Sequence, residues 1–120
     1  MKVDILKEKS LLFAVRIVNL ARFLREEKTE HTLSKQILKS GTNPGAMVRE
    51  SKYAESDLDY IHKLAVAQKE TNETLYWLEL LELTNYLTSN QAKSIHDDGV
   101  EILKLLTSII ITKKKNIGLL

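Results

Sequence analysis

Apolar and polar positions recur with helical spacing along nearly the whole chain. The first such stretch runs from about Lys7 to Lys28 and carries a narrow polar stripe between two apolar lines. One line is Leu11, Ala14, Val18 and Ala21, the other is Phe13, Ile17, Leu20 and Leu24, and the polar stripe is Arg16, Asn19, Arg22 and Glu26. An apolar arc this wide exceeds what one side of a four-helix core requires. The pattern therefore predicts a helix whose surplus face is either a subunit contact or well buried in its own bundle.

A second helix is predicted after a polar turn at residues 26–30, with Thr29 or Thr32 as its N-cap. Its apolar positions are Leu33, Ile37, Met47 and Val48. Pro44 lies midway, and a proline inside a helix removes a backbone donor and clashes with the preceding turn. The helix is therefore expected to kink at Pro44, or to stop and restart there with Asn43 as the new N-cap.

Small residues surround this proline. Ser40, Gly41, Gly45 and Ala46 fall where another helix would need to approach closely, so Gly41 and Gly45 are interpreted as packing positions. A phosphate-binding loop is not indicated, because the GxxxxGK[ST] pattern and a preceding strand are both missing.

Ser56 is expected to cap a third helix from about Asp57 to Tyr86, with acidic residues in its first turn. Gln68, Thr71 and Asn72 interrupt its apolar line halfway along. Polar groups must find partners if they are buried, so we expect these three side chains to lie against the Pro44 region of the second helix.

The fourth helix is predicted to begin with a capping box formed by Thr88 and Gln91. Its seam follows an a/d heptad: Ala92, Ile95, Gly99, Ile102, Leu106 and Ile109. The helix ends at Lys113–Lys115, and the chain ends at about 1–6 and 114–120 are expected to fray. The four predicted helices indicate a single all-α domain over residues 1–120, a four-helix bundle.

The amino-acid composition and the lengths of the apolar runs exclude several kinds of chemistry and location. The chain has 120 residues and no cysteine, which excludes disulfides, thiolate catalysis and thiolate metal sites. The N-terminal segment carries Asp4 and Glu8 and lacks the long apolar run of a signal peptide. The longest apolar runs are far too short to span a membrane, so a cytoplasmic location without membrane association is the default expectation.

Charge is segregated along the chain although its net value is only +2. Residues 1–52 hold 11 Lys/Arg against 6 Asp/Glu, and residues 53–85 hold 2 against 7. These halves can attract one another within a subunit or between subunits. Solvated helix faces with ordinary interhelix pairing are one interpretation of the segregation, and a basic surface for a polyanion is the other.

Metal and catalytic centres are not indicated. A di-iron bundle needs two Glu-x-x-His motifs, and the nearest match here is a single Asp59-x-x-His62. His31, His62 and His96 share no ligand spacing, no nucleophile stands out, and no cofactor is implied. Glu70, Glu73, Glu79 and Glu82 form an acidic group, for which ion pairing is preferred to acid/base catalysis.

Two residues near the acidic group receive structural roles. Arg49 is predicted to pair with Glu70 or Glu73. Trp77 is predicted to be an apolar anchor in the bundle or at a subunit boundary, with base stacking together with Tyr76 and Tyr53 as the alternative.

Several spaced segments resemble one bacterial family. They are Leu33–Gln36, Ser40–Thr42, Gly45–Ala46, Arg49–Glu50, Tyr53–Ser56, Ile61–Leu64, Lys69–Glu70, Asn72–Thr74 and Tyr76–Leu78. Together they resemble the small four-helix-bundle proteins encoded by intervening sequences of 23S ribosomal RNA genes, over about residues 5–112. In this family an aliphatic residue usually replaces Pro44 and an asparagine usually replaces Met47.

The resemblance implies an antiparallel up-and-down four-helix bundle that assembles into a ring-shaped homopentamer, without an assigned enzymatic activity. The family is also similar in fold to the accessory variability protein of diversity-generating retroelements, whose basic pentamer surface binds nucleic acid and a reverse transcriptase. No nucleic-acid-binding residue set is fixed by the family motif.

These observations favour a non-enzymatic oligomeric bundle that binds RNA or DNA through basic surfaces of its first two helices. The candidate contacts are Arg16, Arg22, Arg25, Lys35 and Lys39. The alternative is a protein–protein interaction scaffold whose ring or apolar faces receive a protein partner. An enzyme ranks third.

Overall fold

Four helices and no strands make up the fold. The computed structural model describes residues 1–120, and the helices are α1 Lys2–Glu27, α2 Leu33–Ser51, α3 Asp57–Leu83 and α4 Ser89–Asn116. Both terminal helices reach into the segments expected to fray. α1 begins at Lys2 and buries Leu6, and α4 continues to Asn116.

Local capping explains where α3 and α4 begin. The Ser56 hydroxyl accepts the Asp59 backbone N–H, which confirms Ser56 as the N-cap of α3. Thr88 and Gln91 form the reciprocal capping box of α4, also as predicted. α3 ends at Leu83, before the predicted Tyr86, because Asn85 adopts a left-handed backbone conformation that a helix cannot continue.

The helices occupy the four corners of an elongated body of 49 × 22 × 20 Å. α1 contacts α2 and α4, and α3 contacts α2 and α4, whereas α1 does not contact α3 and α2 does not contact α4. Along α1, Lys2 meets Ser108 and Arg16 meets Asp98 of α4. α1 and α3 therefore lie at diagonally opposite corners.

The core contains the whole predicted seam of α4 but only part of the predicted apolar arc of α1. All six heptad positions of α4 are buried, as the sequence predicted. In α1 the line from Phe13 through Leu24 is buried, but Leu11 and Val18 of the other line are exposed. The surplus apolar arc of α1 therefore faces solvent in a single copy of the chain.

Glycines allow α1 and α2 to approach closely. A Cβ atom at Gly41 would lie 2.6 Å from Ile17 Cγ1, which is far inside van der Waals contact. A Cβ atom at Gly45 would lie 3.2 Å from the backbone oxygen of Ser10. The side chain of Ile17 and the backbone of Ser10 occupy the space that larger residues would need.

In the middle of the bundle, one of the two alternatives for Pro44 is excluded, and the expected partners of the Pro44 region on α3 are wrong. α2 runs unbroken from Leu33 to Ser51 with Pro44 inside it, so the helix does not stop and restart at Asn43. Gln68 does not turn toward Pro44, because its amide nitrogen lies 2.8 Å from the Thr107 hydroxyl of α4. The hydroxyl that reaches α2 belongs to Thr74, one turn beyond Thr71, and it bonds Ser40.

Candidate nucleic-acid interface

Four of the five predicted cationic contacts share one end of the α1–α2 pair. Because Ser10 meets Gly45 and Ile17 meets Gly41, the last turns of α1 lie beside the first turns of α2. The four residues, which we call the basic face, are Arg22, Arg25, Lys35 and Lys39. None of them is in an ion pair, and all but the half-buried Arg25 are exposed.

Arg16 lies elsewhere and is already occupied. Its guanidinium is 2.7 Å from the Asp98 carboxylate and also donates to the backbone oxygen and hydroxyl of Ser94 at 3.2 and 3.0 Å. The side chain bridges α1 to α4, on the side of α1 away from α2. Arg16 is thus not brought together with the other four predicted residues.

The predicted ion pair between Arg49 and the acidic group is not present. Arg49 is exposed and makes no ion pair, while Glu73 accepts the indole N–H of Trp77 at 3.2 Å. Glu70 lies 4.0 Å from Lys69 of its own helix. Arg49 points outward because its position on α2 faces away from α3, which spacing along one helix could not establish.

Further cations follow the basic face along the outside of α2. Lys39 is followed at helical spacing by the exposed Ala46, Arg49 and Tyr53. Lys52 places its ammonium 5.9 Å from the centroid of the Tyr53 ring. This part of the chain offers positive charge next to an aromatic ring that is 80% exposed.

The remaining residues given structural roles lie on or near α3. Trp77 is half-buried against the core, and its ring meets Tyr76 edge to face at 5.0 Å between centroids. Asn72 is exposed and has no hydrogen-bond partner across the bundle.

At the end of α4, Lys113 pairs with Asp57 at 2.9 Å and lies over the Tyr60 ring, so it is not a free cation.

Glu30 has a role that the sequence did not reveal. Thr32 is the N-cap of α2 but makes no side-chain cap bond, and the Glu30 carboxylate instead accepts the backbone N–H groups of Thr32 and Ser34 at 3.3 and 2.8 Å. Burial raises the pKa of Glu30, but hydrogen bonds from the Leu33, Ser34 and Thr32 backbone outweigh it, so the pKa is lowered from the usual glutamate value. A glutamate four residues before Ser34 is the only signal that could have indicated this cap.

The acidic and histidine side chains do not converge on a metal centre. No group of three or more His, Asp or Glu residues is placed to hold a metal ion. His96 lies 3.1 Å from Glu79 as a simple pair between α3 and α4. None of the four helices is both long and apolar enough to cross a membrane.

The fold and this surface define an all-α, four-helix protein that carries an unpaired basic face. The chain belongs to the 23S rRNA-intervening sequence protein family, which it matches over residues 3–108.

A solved relative has the same fold. It is a protein of unknown function from the S23 ribosomal protein family of Bacteroides thetaiotaomicron, with a crystal structure at 1.70 Å resolution. It is 57% identical, with a TM-score of 0.91, over 92% of this chain and 98% of that chain. Among curated proteins, none matches this chain.

Proposed function

We propose that this protein is a non-enzymatic, oligomeric helical bundle that binds RNA or DNA through the basic face. The observation that carries the proposal is the set of four cations on adjacent helices, none of them neutralised by an ion pair. Arg16, the fifth predicted contact, is left out because Asp98 and Ser94 already hold its guanidinium.

The assembly belongs to the same proposal. We infer an antiparallel up-and-down bundle, with α2 bent at Pro44, and a ring-shaped homopentamer. The helix directions are supported by contacts such as Lys2 with Ser108 and Arg16 with Asp98. The bend rests on the missing backbone donor of Pro44, and the pentamer rests on the family resemblance.

Electrostatics would dominate this mode of binding. Lysine and arginine side chains that neutralise phosphates release counterions, so affinity falls steeply as salt rises. A ring would repeat the basic face in every copy, and several weak contacts made together bind far more tightly than one. The protein would read the charge and shape of the backbone rather than a base sequence.

Gel-shift titration against a 23S rRNA fragment and a duplex DNA of equal length, at low and physiological salt, tests the proposal. The test variant replaces the basic face: Arg22→Gln, Arg25→Gln, Lys35→Gln and Lys39→Gln. The matched control removes the same charge from α4: Lys93→Gln, Lys104→Gln, Lys114→Gln and Lys115→Gln. We expect the test variant to lose at least tenfold in affinity and the control to retain most of it.

An intact oligomer that binds neither nucleic acid at low salt would overturn the proposal. The second candidate function, a protein-interaction scaffold, would then be favoured. It is supported by the exposed apolar side chains of α1 and α3, which include Leu11, Val15, Tyr76 and Leu83. Isothermal titration with a defined protein partner would test it, and the variants of the basic face would bind that partner normally.

A further inference from the structure

A cleft opens between α1 and α4, beside the turn that joins α3 to α4. Its volume of about 310 Å³ lies at the lower end of the range for ligand pockets, about 300 to 1,000 Å³, so it has room for a single ring system. The buried side chains of Leu20, Leu87 and Ile95 form an apolar floor, and the half-buried ring of Phe23 forms one wall. The cleft therefore suits a flat, partly apolar ligand.

Two exposed amide side chains at the rim of the cleft present hydrogen-bond donors. The side-chain oxygen of Gln91 accepts the backbone N–H of Thr88 at 2.9 Å, and that of Asn19 accepts from the Arg22 guanidinium at 3.4 Å. These bonds fix the orientation of both amides, because an N–H group donates to the oxygen of an amide and not to its NH₂ group. The NH₂ groups of Asn19 and Gln91 have no partner within the chain and are available to a ligand.

The charges around the cleft favour a ligand that carries negative charge. None of the eight residues that line the cleft is acidic. Arg22 of the basic face adjoins the cleft through its bond to Asn19, and the unpaired Lys28 lies 5.9 Å from the centroid of the Phe23 ring. Glu26 and Glu27 end α1 beyond the cleft and do not line it. Cations therefore lie beside the cleft, on the side that continues into the basic face.

Arg16 closes one end of the cleft and is not counted among the ligand contacts. Its guanidinium is held by the Asp98 carboxylate at 2.7 Å and by the backbone oxygen and hydroxyl of Ser94 at 3.2 and 3.0 Å. These bonds keep α1 and α4 apart at this height, and a ligand phosphate would have to break them to reach the charge.

We infer that the cleft receives one unpaired base of a single-stranded nucleic acid, whose phosphates cross α1 onto the basic face. This inference rests on the proposed function and deepens it, because it names the unpaired base as a recognised element. Every base has a flat face that can pack against an aromatic ring, and carbonyl or ring-nitrogen acceptors that the two NH₂ groups can contact. A base inside a duplex is stacked and paired and cannot enter, so the cleft selects single strands and loops without selecting a sequence.

Nuclear magnetic resonance of the amide side chains tests the base site directly. Uridine monophosphate is added at millimolar concentration to nitrogen-15-labelled protein, and ribose 5-phosphate, which has the phosphate but no base, is the control. We expect the side-chain NH₂ signals of Asn19 and Gln91 to shift with the nucleotide only, while the exposed Asn72 amide of α3 stays unchanged. Asn19→Asp and Gln91→Glu proteins identify the two signals by their loss. Equal shifts with ribose 5-phosphate, or no shift with the nucleotide, would overturn the base site.

Fluorescence anisotropy with two labelled strands distinguishes a base within a strand from a free nucleotide. One strand is an oligouridylate of about eight nucleotides, and the other has the same sugar-phosphate backbone without bases. Because packing of a base on an aromatic side chain contributes measurably to affinity, we expect the abasic strand to bind about fivefold more weakly or worse. Equal affinity for the two strands, with nucleotide shifts present, would assign the cleft to a free nucleotide and overturn the inference.

A double variant blocks the cleft while keeping its internal hydrogen bonds. Asn19→Asp with Gln91→Glu retains the oxygens that accept from Arg22 and Thr88 but replaces both NH₂ donors by carboxylate oxygens. The matched control, Gln36→Glu with Asn90→Asp, adds the same charge at exposed positions outside the cleft. We expect the cleft variant to bind both strands equally and the control to keep the preference for the oligouridylate. A cleft variant that kept this preference, or a control that lost it, would contradict the base site.

The same titrations separate failure of the base site from failure of the proposed function. If both strands bind equally and the variant of the basic face loses that binding, the proposed function stands and the base site falls. If the intact oligomer binds neither strand at low salt, the proposed function itself falls.

Discussion

The hydroxyl oxygens of Ser40 on α2 and Thr74 on α3 are hydrogen-bonded to each other at 2.9 Å, and both residues are fully buried. Thr74 also reaches the Glu70 backbone oxygen at 2.9 Å, whereas the only other contact of the Ser40 hydroxyl, with the Ile37 backbone oxygen, is 3.5 Å long. This polar link lies one turn before Pro44 in α2. It fixes the register of two helices whose other contacts are mostly apolar.

Thr74→Val should destabilise the bundle by about 1 kcal/mol in urea unfolding, because it keeps the shape but removes the main partner of a buried hydroxyl. Ser40→Ala should cost less, since Thr74 keeps its bond to Glu70. The double variant should lose less than the sum of the two single changes. Thr112→Val, at an exposed position of α4, serves as the control, and equal losses for Thr74→Val and Thr112→Val would contradict the role of the link.

The contact between Gly41 and Ile17 gives a second stability prediction. Gly41→Ala gains about 1 kcal/mol of helix propensity, but its new methyl must displace Ile17, and overpacking costs roughly 1 to 3 kcal/mol. We expect a net loss of about 1 kcal/mol, measured by thermal or urea unfolding. In the background of Ile17→Ala the same Gly41→Ala change should become stabilising, because the obstructing side chain is gone. A loss of the same size in both backgrounds would show that Ile17 is not the obstacle.

Sequence periodicity was sufficient to predict the four helices, but it was not sufficient to predict which residues the individual side chains contact. The heptad of α4 and the caps at Ser56 and Thr88 could be predicted because each depends on residues close in sequence. The partners of Arg16 and Gln68, which are Asp98 and Thr107 on α4, could not be predicted in this way. Helical spacing gives the direction of a side chain but does not identify the helix that lies next to it. The residues of the basic face were predicted from the sequence. Only the structure shows that Arg16, which was predicted with them, lies elsewhere and pairs with Asp98.

Glu30 makes the stability of the start of α2 depend on pH. Its folded-state pKa is lowered from the usual value of 4.5, so its contribution is complete above that value and is lost as the pH falls through the lower folded-state pKa. At neutral pH, Glu30→Gln should cost about 1 kcal/mol, as expected for the loss of a helix cap. The difference from wild type should shrink in acid.

Urea unfolding of wild type, Glu30→Gln and the exposed control Glu27→Gln at several pH values from neutral to acid measures this effect. The control should show no comparable loss at neutral pH, since Glu27 is the exposed last residue of α1 and makes no side-chain hydrogen bond. A Glu30→Gln deficit that stayed constant down to the most acidic pH would mean that the carboxylate charge is not what caps α2.

Substitution of Arg16 and substitution of the two α2 lysines should have clearly different effects on the affinity for nucleic acid. Lys35→Gln with Lys39→Gln removes two exposed, unpaired cations, so the slope of log affinity against log salt should fall by up to about 1.8 if both contact duplex phosphates. Arg16→Gln should change affinity by less than about twofold, because its charge is already shared with Asp98. That variant should instead lose at most about 1 kcal/mol of stability, as is typical of partly exposed ion pairs. Filter binding at four salt concentrations gives both slopes. A larger loss of affinity from Arg16→Gln than from the lysine pair would move the binding surface from the α1–α2 side of the bundle to the α1–α4 side.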